Sequence, residues 1–395
     1  MIHFGHDEDT KLLVDTVRSF GEKEIRPRLR EFEAAGALTP SLEKAYAELG
    51  IAALSLPSSV GGSDMGERTE VLVGEELGYA DLGTSYALPG PGAFGLALRL
   101  LGSEAQQARW LKDYAADGTL RGAVAYSEKP NPEGEMQTRA VRSGGGWVLS
   151  GAKSHVLHAP RARHFVVFAR VEGEGLGAFV VERAAKGLTV GEKLGVLAFD
   201  AAGIAPITLQ DVKVSDDARL TAGGDFAVKA TELFVRAALR SAARLVGGAR
   251  ASYVLALEYA QTRKTFGKPI GHHQALGFLL ADMATAVDSM RWMVWRAAAA
   301  LDDNDENAIL EACKAVAEVQ ETAMWVTNQG VQVHGGAGFI QDLPVEKWMR
   351  EAKAAMSYAM TSQHADELVA DAMLNPDEAR KLLRVPSPTL QPVLL

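Results

Sequence analysis

The strongest constraint in this sequence is the helical periodicity of its last third. Apolar residues recur there every three or four positions in long runs that begin near Leu239, Leu276 and Ile309, and a fourth helix follows Pro344. This spacing places the apolar side chains on one face of each helix, so the helices bury those faces against one another. Many of these positions are Ala or Gly, which allows close helix approach. The pattern predicts a four-helix bundle over residues 225–384.

Two further blocks precede the predicted bundle, and a short tail follows it. Residues 1–119 continue the helical spacing and predict an N-terminal α-helical domain. Residues 120–224 change to short runs rich in Val and Phe, such as GAVAYS and HFVVFARV. No helices alternate with these runs, which argues against a parallel Rossmann sheet and favours an antiparallel β-barrel. Prolines near the end predict an extended tail over 385–395, and the fold class is α+β.

Composition narrows the range of functions. The 395 residues carry a formal net charge of −9, which is a poor electrostatic match for nucleic acid or an anionic membrane. The one cysteine, Cys313, cannot form an internal disulfide, which fits a reducing compartment. The sequence begins without the pattern of a secretion signal, and no apolar run is long enough to span a bilayer. We therefore expect a cytoplasmic protein.

Two stretches have the residue types of a phosphate-binding site. In YAQTRKTFGKPIGHHQ a helix ends at Arg263 and Lys264 beside a Gly turn, and cations in that position can bind a phosphate. In QVHGGAGF, glycines after a long helix let the backbone approach another group closely. Each stretch by itself is also compatible with an ordinary helix end. The histidines lack partners at metal-ligand spacing, so no metal site is predicted.

Taken together, these stretches resemble the acyl-CoA dehydrogenase family, and the resemblance spans nearly the whole chain. It is carried by ELGIAAL and LPSSVGG in the first block, by YAQTRKTFGKPIGHHQ, and by QVHGGAGFIQDLPVEKWMREAK. The family fold is an α-helical domain, a β-barrel and a four-helix bundle, in agreement with the three blocks. The resemblance implies FAD as cofactor, an acyl-CoA thioester as substrate, and an electron acceptor such as an electron-transfer flavoprotein. It also implies a homo- or hetero-oligomer, a dimer or tetramer, because the family shares its FAD site between subunits.

The resemblance further implies which residues bind the nucleotide part of FAD. The positions that match at the end of the bundle are Arg263, Thr265, Phe266, Gln274, Gln332, Gly335 and Gly336. Thr361 and Gln363 match the pair that follows the catalytic position.

The resemblance places a second group of residues beside the flavin ring. Tyr126, Ser127 and Glu128 belong to the stretch VAYSEK, which matches the family's ring-binding segment. His155 replaces the family's tryptophan beside the ring, and Leu157 replaces the threonine that touches it. The nucleotide-binding half of the site is therefore kept, whereas the ring and substrate half is altered.

The family's chemistry requires a base that this sequence lacks. A hydride leaves Cβ of the acyl thioester while a carboxylate accepts the proton from Cα. The family's glutamate in Tyr-Glu-Gly-Thr is Ala359 here, and the alternative position on an earlier bundle helix is Ala237. Glu351 lies about two helical turns before Ala359, and Glu232 lies off the face of Ala237. Neither is a convincing replacement, so no catalytic residue is assigned.

Three explanations of the missing base follow. The chain is a dehydrogenase whose base lies elsewhere, or it is the base-less subunit of a mixed oligomer and donates its bundle residues to FAD held by a partner. The third explanation is a different flavin reaction on the same fold, such as that of a monooxygenase or oxidase, which needs no α-proton abstraction. The division between a kept nucleotide half and an altered ring half favours the mixed oligomer.

Overall fold

The computed structural model describes residues 7–131, 135–389 and 394–395. The parts of the predicted N-terminal domain and extended tail that fall on residues 1–6 and 390–393 lie outside the described residues. None of the described helices combines the length and the apolar character that crossing a bilayer requires.

The first block is helical, in agreement with the sequence. Asp7, Thr39 and Ser103 each precede a helix and accept a hydrogen bond from a backbone amide in its first turn, which satisfies a donor that the helix itself leaves unpaired. The described helices of this block are α1 (Glu8–Phe20), α2 (Leu29–Ala35), α3 (Pro40–Glu48), α4 (Glu67–Ala80), α5 (Leu82–Ala87), α6 (Gly92–Leu101) and α7 (Glu104–Ala116).

The middle block is a single curled sheet in the described part of the chain. Its strands are β1 (Gly122–Ala125), β2 (Arg139–Ser143), β3 (Gly146–Leu157), β4 (His164–Val171), β5 (Gly175–Glu182), β6 (Leu188–Val190) and β7 (Ile204–Ser215). The pairs β2–β3, β3–β7, β4–β5 and β6–β7 are antiparallel as predicted, but β1 and β2 both pair with β4 in parallel. The sheet is therefore mixed. The residue pattern identifies the strands but does not specify the direction in which two strands pair.

Strand β4 joins the sheet to the helices because both of its faces are buried. Phe165 and Val167 point into the core enclosed by the sheet, and the alternate residues Val166 and Phe168 belong to the core shared with the helices. All four side chains are fully buried. A strand that is covered on both faces has apolar residues at successive positions of its sequence, as in HFVVFARV.

The last block is the helical bundle. Its elements are α8 (Phe226–Thr262), the hairpin strands β8 (Lys264–Thr265) and β9 (Lys268–Pro269), α9 (Gln274–Asp302), α10 (Ala308–His334), α11 (Gly336–Phe339), α12 (Val345–Ala355) and α13 (Ser362–Leu374). The fourth long helix of the predicted bundle is divided into α12 and α13. After α13 the chain forms a 3₁₀ segment at Pro376–Leu382 and returns toward the sheet.

The bundle and the N-terminal block meet where α4 and α8 pack backbone to backbone. A Cβ on Gly78 would lie 2.2 Å from the carbonyl oxygen of Arg244, and a Cβ on Gly247 would lie 2.0 Å from that of Glu75. Both helices need glycine at these points because no side chain fits between them. The contact fixes which residues of α8 face the sheet.

We expect Gly247→Ala to destabilise the protein by about 1–3 kcal/mol, the usual range for overpacking a filled interior. Its methyl group would force α4 and α8 apart. Gly195→Ala is the control, because a Cβ there meets no atom within 4 Å. Thermal unfolding followed by circular dichroism checks the prediction, and equal midpoints for the two variants would contradict the close contact.

Candidate functional site

The division of the fourth bundle helix forms the centre of the candidate site. Ala359 lies between α12 and α13 with a φ of +61°, in the left-handed region that residues with a Cβ rarely adopt. Neighbouring groups hold this conformation in place. The Nε2 of Gln320 donates to the carbonyl of Met360 at 2.7 Å, and Thr361 caps α13 with its side-chain oxygen. Ala359, the first predicted base position, is fully buried.

A cavity of about 110 Å³ lies beside this gap. Its walls include Ala237 of α8, Leu157 of β3 and Tyr358, which precedes Ala359. Ala237 and Leu157 therefore line the same cavity, and Ala359 is the residue that follows the lining residue Tyr358. The volume is below the roughly 300–1,000 Å³ of typical small-molecule pockets.

Among the described residues that line this cavity, Glu70 is the one with a carboxylate side chain. It lies 3.5 Å from Arg240, which also binds Glu67 at 2.8 Å. Burial alone would raise the pKa of Glu67, but Arg240 and Arg236 hold it below its usual value. The carboxylate of Glu70 is therefore paired with an arginine of α8.

The two carboxylates considered as replacements from the sequence have structural partners. Glu232 binds Arg236 at 2.7 Å on the same helix. Glu351 is buried in a cluster with Lys347 and Asp81, and the Nζ of Lys347 lies 2.7 Å from Asp81. Neither is among the described residues that line the cavity.

Burial, and then the nearby charge of Asp81, raise the pKa of Glu351 to about 8. Its Oε2 has no hydrogen-bond partner among the described residues. Because the Lys347–Asp81 pair already balances its own charge, ionising Glu351 places an additional negative charge in the interior. This carboxyl group therefore holds its proton in the folded protein to an unusually high pH.

Arg244 is a cavity residue that the sequence reasoning missed. It forms no ion pair with any described carboxylate, and its buried Nε has no acceptor there. Its guanidinium lies 5.2 Å from the centre of the Tyr86 ring. The spacing of Arg236, Arg240 and Arg244 by four residues places them along one side of α8, and this was the signal available in the sequence.

The predicted ring-side residues lie on β3 and directly after β1, and Leu157 among them lines the cavity. The ring of Tyr126 is buried between Phe168 and Phe234, and its hydroxyl donates to the carbonyl of Pro386. His155 is half-buried and lies 2.8 Å from the hydroxyl of Ser154 through its Nδ1. Burial lowers the pKa of His155, so its ring is neutral near pH 7.

Two other ring-side residues are tied to the backbone of the sheet. The carbonyl of Ser127 accepts the amide of Ser154 at 2.8 Å. Glu128 turns its carboxylate inward, where it accepts from the amide of Thr138 and from the Nζ of the fully buried Lys153 at 2.8 Å. Burial lowers the pKa of Lys153 to about 8 in spite of this pair. The side chain of Glu128 therefore supports the strand connection and does not face the cavity.

The predicted nucleotide-binding residues lie elsewhere, at the exposed end of the bundle. Phe266 has a φ of +50°, forms the turn between β8 and β9 with Gly267, and is 96% exposed. Gly335 ends α10 with a φ of +56°. Arg263, Thr265, Gln274, Gln332 and Gly336 are likewise at the surface or partly buried, whereas Thr361 and Gln363 lie at the start of α13, just after Ala359. None of these residues lines the described cavity.

In this conformation the ring-side residues do not fit a bound flavin. The hydroxyl of Tyr126 and the amide of Glu128 are both occupied by carbonyl groups of the tail, those of Pro386 and Pro388. Leu157 faces a cavity that the tail residue Leu395 also lines. The predicted nucleotide-binding residues at the end of the bundle, in contrast, are exposed or partly exposed.

Comparison with known proteins identifies three family segments. Residues 7–118 match the acyl-CoA dehydrogenase N-terminal domain, residues 131–212 match the middle domain, and residues 227–374 match the C-terminal domain.

Individual relatives match over almost their full length. The chain is 32% identical to cyclohex-1-ene-1-carbonyl-CoA dehydrogenase of Geobacter metallireducens, over 93% of this chain and 99% of that protein. It is 30% identical to the Caffeyl-CoA reductase-Etf complex subunit CarC of Acetobacterium woodii, over 93% and 98% of the two chains. The structure resembles butyryl-CoA dehydrogenase of Megasphaera elsdenii with a TM-score of 0.88 and 27% identity, over 94% of this chain and all of that one.

We expect Glu351→Gln to change how stability depends on pH. The pKa of Glu351 is about 8 in the folded protein against an ordinary value of 4.5, so between these pH values the folded state holds a proton that the unfolded chain has lost. Folding stability therefore falls as pH rises through this window. The variant removes this titration. Its free energy of unfolding, relative to that of the wild type, should therefore rise by at least about 1 kcal/mol between pH 5 and pH 8.

Thermal unfolding at a series of pH values measures this difference. Glu48→Gln, at an exposed glutamate, is the matched control. Parallel curves for Glu351→Gln and the wild type would show that Glu351 titrates normally.

Proposed function

Because this chain belongs to the acyl-CoA dehydrogenase family of oxidoreductases, we propose that it contributes to the α,β-dehydrogenation of an acyl-CoA thioester as the base-less subunit of a mixed oligomer. The observation that carries the proposal is the pair of buried alanines, Ala237 and Ala359, at both positions where the family holds its base. A related chain that has the glutamate would complete the oligomer.

The groups that surround the two alanines do not supply a substitute base. Removing a Cα proton requires an acceptor within hydrogen-bond reach, near its own pKa at the working pH. Burial raises the pKa of Tyr86 and of Tyr358, so both phenols remain protonated. The carboxylate of Glu70 lies beside Arg240. Loss of a positioned base typically costs about 10²–10⁴ in rate, which predicts a very poor enzyme for this chain alone.

The exposed end of the bundle supports a different contribution. Arg263, Gln274 and Gln332 are accessible there, and Arg263 forms no ion pair with any described carboxylate. We propose that these residues bind the nucleotide part of FAD whose ring lies in the partner subunit. FAD would supply the hydride acceptor, and this chain's residues would hold its phosphates and adenine in place.

Exposed apolar side chains on the bundle support an assembly of several chains. Phe266 is 96% exposed, Phe339 85% and Phe278 62%. Phe266 lies in the turn between β8 and β9, and Phe339 ends α11, which begins at Gly336. Aromatic side chains at such exposure are typical of protein interfaces. We assign them to the contact with the partner subunit, in a dimer or tetramer.

An electron-transfer flavoprotein is the electron acceptor that we propose. The relative from Acetobacterium woodii is, by its name, a subunit of a complex with Etf. This chain matches nearly all of that subunit.

Anaerobic titration with acyl-CoA thioesters tests the proposed function. The purified chain with added FAD should show no rapid loss of flavin absorbance with any thioester of a panel that varies in chain length. The same chain co-purified with a glutamate-bearing relative should show it, faster by about 10²–10⁴. Rapid bleaching by the chain alone would establish a base within it and contradict the proposal.

Substitution of Arg263 tests the donated nucleotide site. In the mixed complex, Arg263→Ala should release FAD at least about tenfold more readily, since it removes a charge-assisted hydrogen bond to a phosphate. Arg296→Ala is the matched control, because Arg296 is also an exposed bundle arginine and pairs with Glu311. FAD retention measured by gel filtration and absorbance compares the two, and equal retention would exclude Arg263 from the site.

A further inference from the structure

The chain that follows α13 is anchored before it reaches the sheet. The guanidinium of Arg384 lies 2.6 Å from Asp371 and 3.5 Å from Glu367, and the carbonyl of Arg384 accepts from the Nε2 of His364 at 3.0 Å. Pro386 is buried. We call residues 384–389 and 394–395 the tail segment.

The first half of the tail segment covers the ring side. The hydroxyl of Tyr126 donates to the carbonyl of Pro386, and the amide of Glu128 donates to that of Pro388 at 2.8 Å. Thr389 is almost completely buried beyond them. Donors at the predicted ring position are thus satisfied by the protein's own backbone carbonyls.

The second half of the tail segment pairs with the gap between α12 and α13. The amide of Ala359 donates to the carbonyl of Leu394 at 2.6 Å, and the amide of Leu394 donates to that of Ser357 at 2.8 Å. Tyr358 and Leu394 form an isolated parallel bridge. Two backbone hydrogen bonds therefore stabilise the left-handed conformation of Ala359.

The last residue of the tail segment faces the cavity. Leu395 is 2% exposed, and it lines the cavity together with Ala237, Leu157 and Tyr358. An acyl thioester bound at this place would need a donor for its carbonyl oxygen and an apolar wall for its chain. The carbonyl of Leu394 already accepts the hydrogen bond from the amide of Ala359, and the side chain of Leu395 already lines the cavity.

We propose that the tail segment is an internal ligand, which occupies the substrate and ring positions of this chain and keeps them closed. The proposal rests on the proposed function, since it takes this cavity to be the counterpart of the family's substrate site. It explains why alanine is tolerated at both base positions: no thioester reaches them in the closed state. The chain then contributes to the oligomer through its exposed bundle residues, while its own site is filled by its own backbone.

Thiol labelling tests the closed state without any cofactor. Leu395→Cys should react with a thiol reagent at least about tenfold more slowly than Leu374→Cys. The reason is that a thiol in the closed tail segment reacts only in the fraction of molecules whose tail is open. Leu374 is 79% exposed and is the last residue of α13. The native Cys313 is fully buried, and burial raises its pKa to about 12, so the wild-type protein gives the background. Equal labelling rates for the two variants would overturn the proposal.

Removal of the tail segment tests whether it excludes FAD from this chain. A chain ending at Leu383 should bind FAD at least about tenfold more tightly than the full chain, measured by quenching of flavin fluorescence. If the truncated chain does not fold, Leu394→Pro replaces it in the test. This variant loses the amide that donates to Ser357, and it should bind FAD more tightly than the full chain by a smaller factor. A synthetic peptide of residues 384–395 should reverse the gain of the truncated chain.

The outcomes separate this inference from the proposed function. Unchanged FAD affinity after truncation and in Leu394→Pro, or fast labelling of Leu395→Cys, would overturn the closed tail and leave the base-less subunit intact. Rapid bleaching of the full chain by a thioester would overturn both, because substrate would then reach the cavity and find a base. Slow labelling together with tighter FAD binding after truncation supports the closed tail.

Discussion

The contact between α4 and α8 is the constraint on which the rest of the structure depends. Gly78 and Gly247 let the two backbones touch, and no side chain larger than hydrogen fits at either point. Once the helices are this close, the carboxylates of α4 lie opposite the arginines of α8, where Glu67 binds Arg236 and Arg240. Buried ion pairs offset their desolvation only when the geometry is good, so the glycine contact and the ion pairs depend on each other.

This arrangement also pairs the carboxylates near the cavity with basic side chains. A general base needs a free lone pair directed at the substrate. Glu70 and Glu67 are held by Arg240, and Glu351 keeps its proton beside the Lys347–Asp81 pair. The acidic groups in this region therefore stabilise helix contacts. Arg244 is the exception on the basic side, since its Nε lacks an acceptor among the described residues.

The gap between α12 and α13 connects the bundle to the tail. A continuous helix would bury residues 357–361 in regular hydrogen bonds, whereas the gap leaves the amide of Ala359 and the carbonyl of Ser357 open to another strand. Leu394 provides that strand. In a chain with a glutamate at Ala359 and no tail, the same open groups would face a substrate. In the closed state that we propose, the tail takes the place that a thioester would otherwise occupy at this gap.

The sequence by itself determined the fold class and the family, and it identified alanine at the two positions where a base was expected. Helix periodicity, glycine turns and the identities of Ala237 and Ala359 are local properties, and each can be read without knowing what lies opposite. The tertiary structure decided the parallel pairing of β1 and β2 with β4, the engagement of Glu351 by Lys347, the orientation of Arg244 and the position of Leu395. These features depend on contacts between residues far apart in the chain. Their direction and distance are set by how whole helices and strands pack, and no local pattern encodes them.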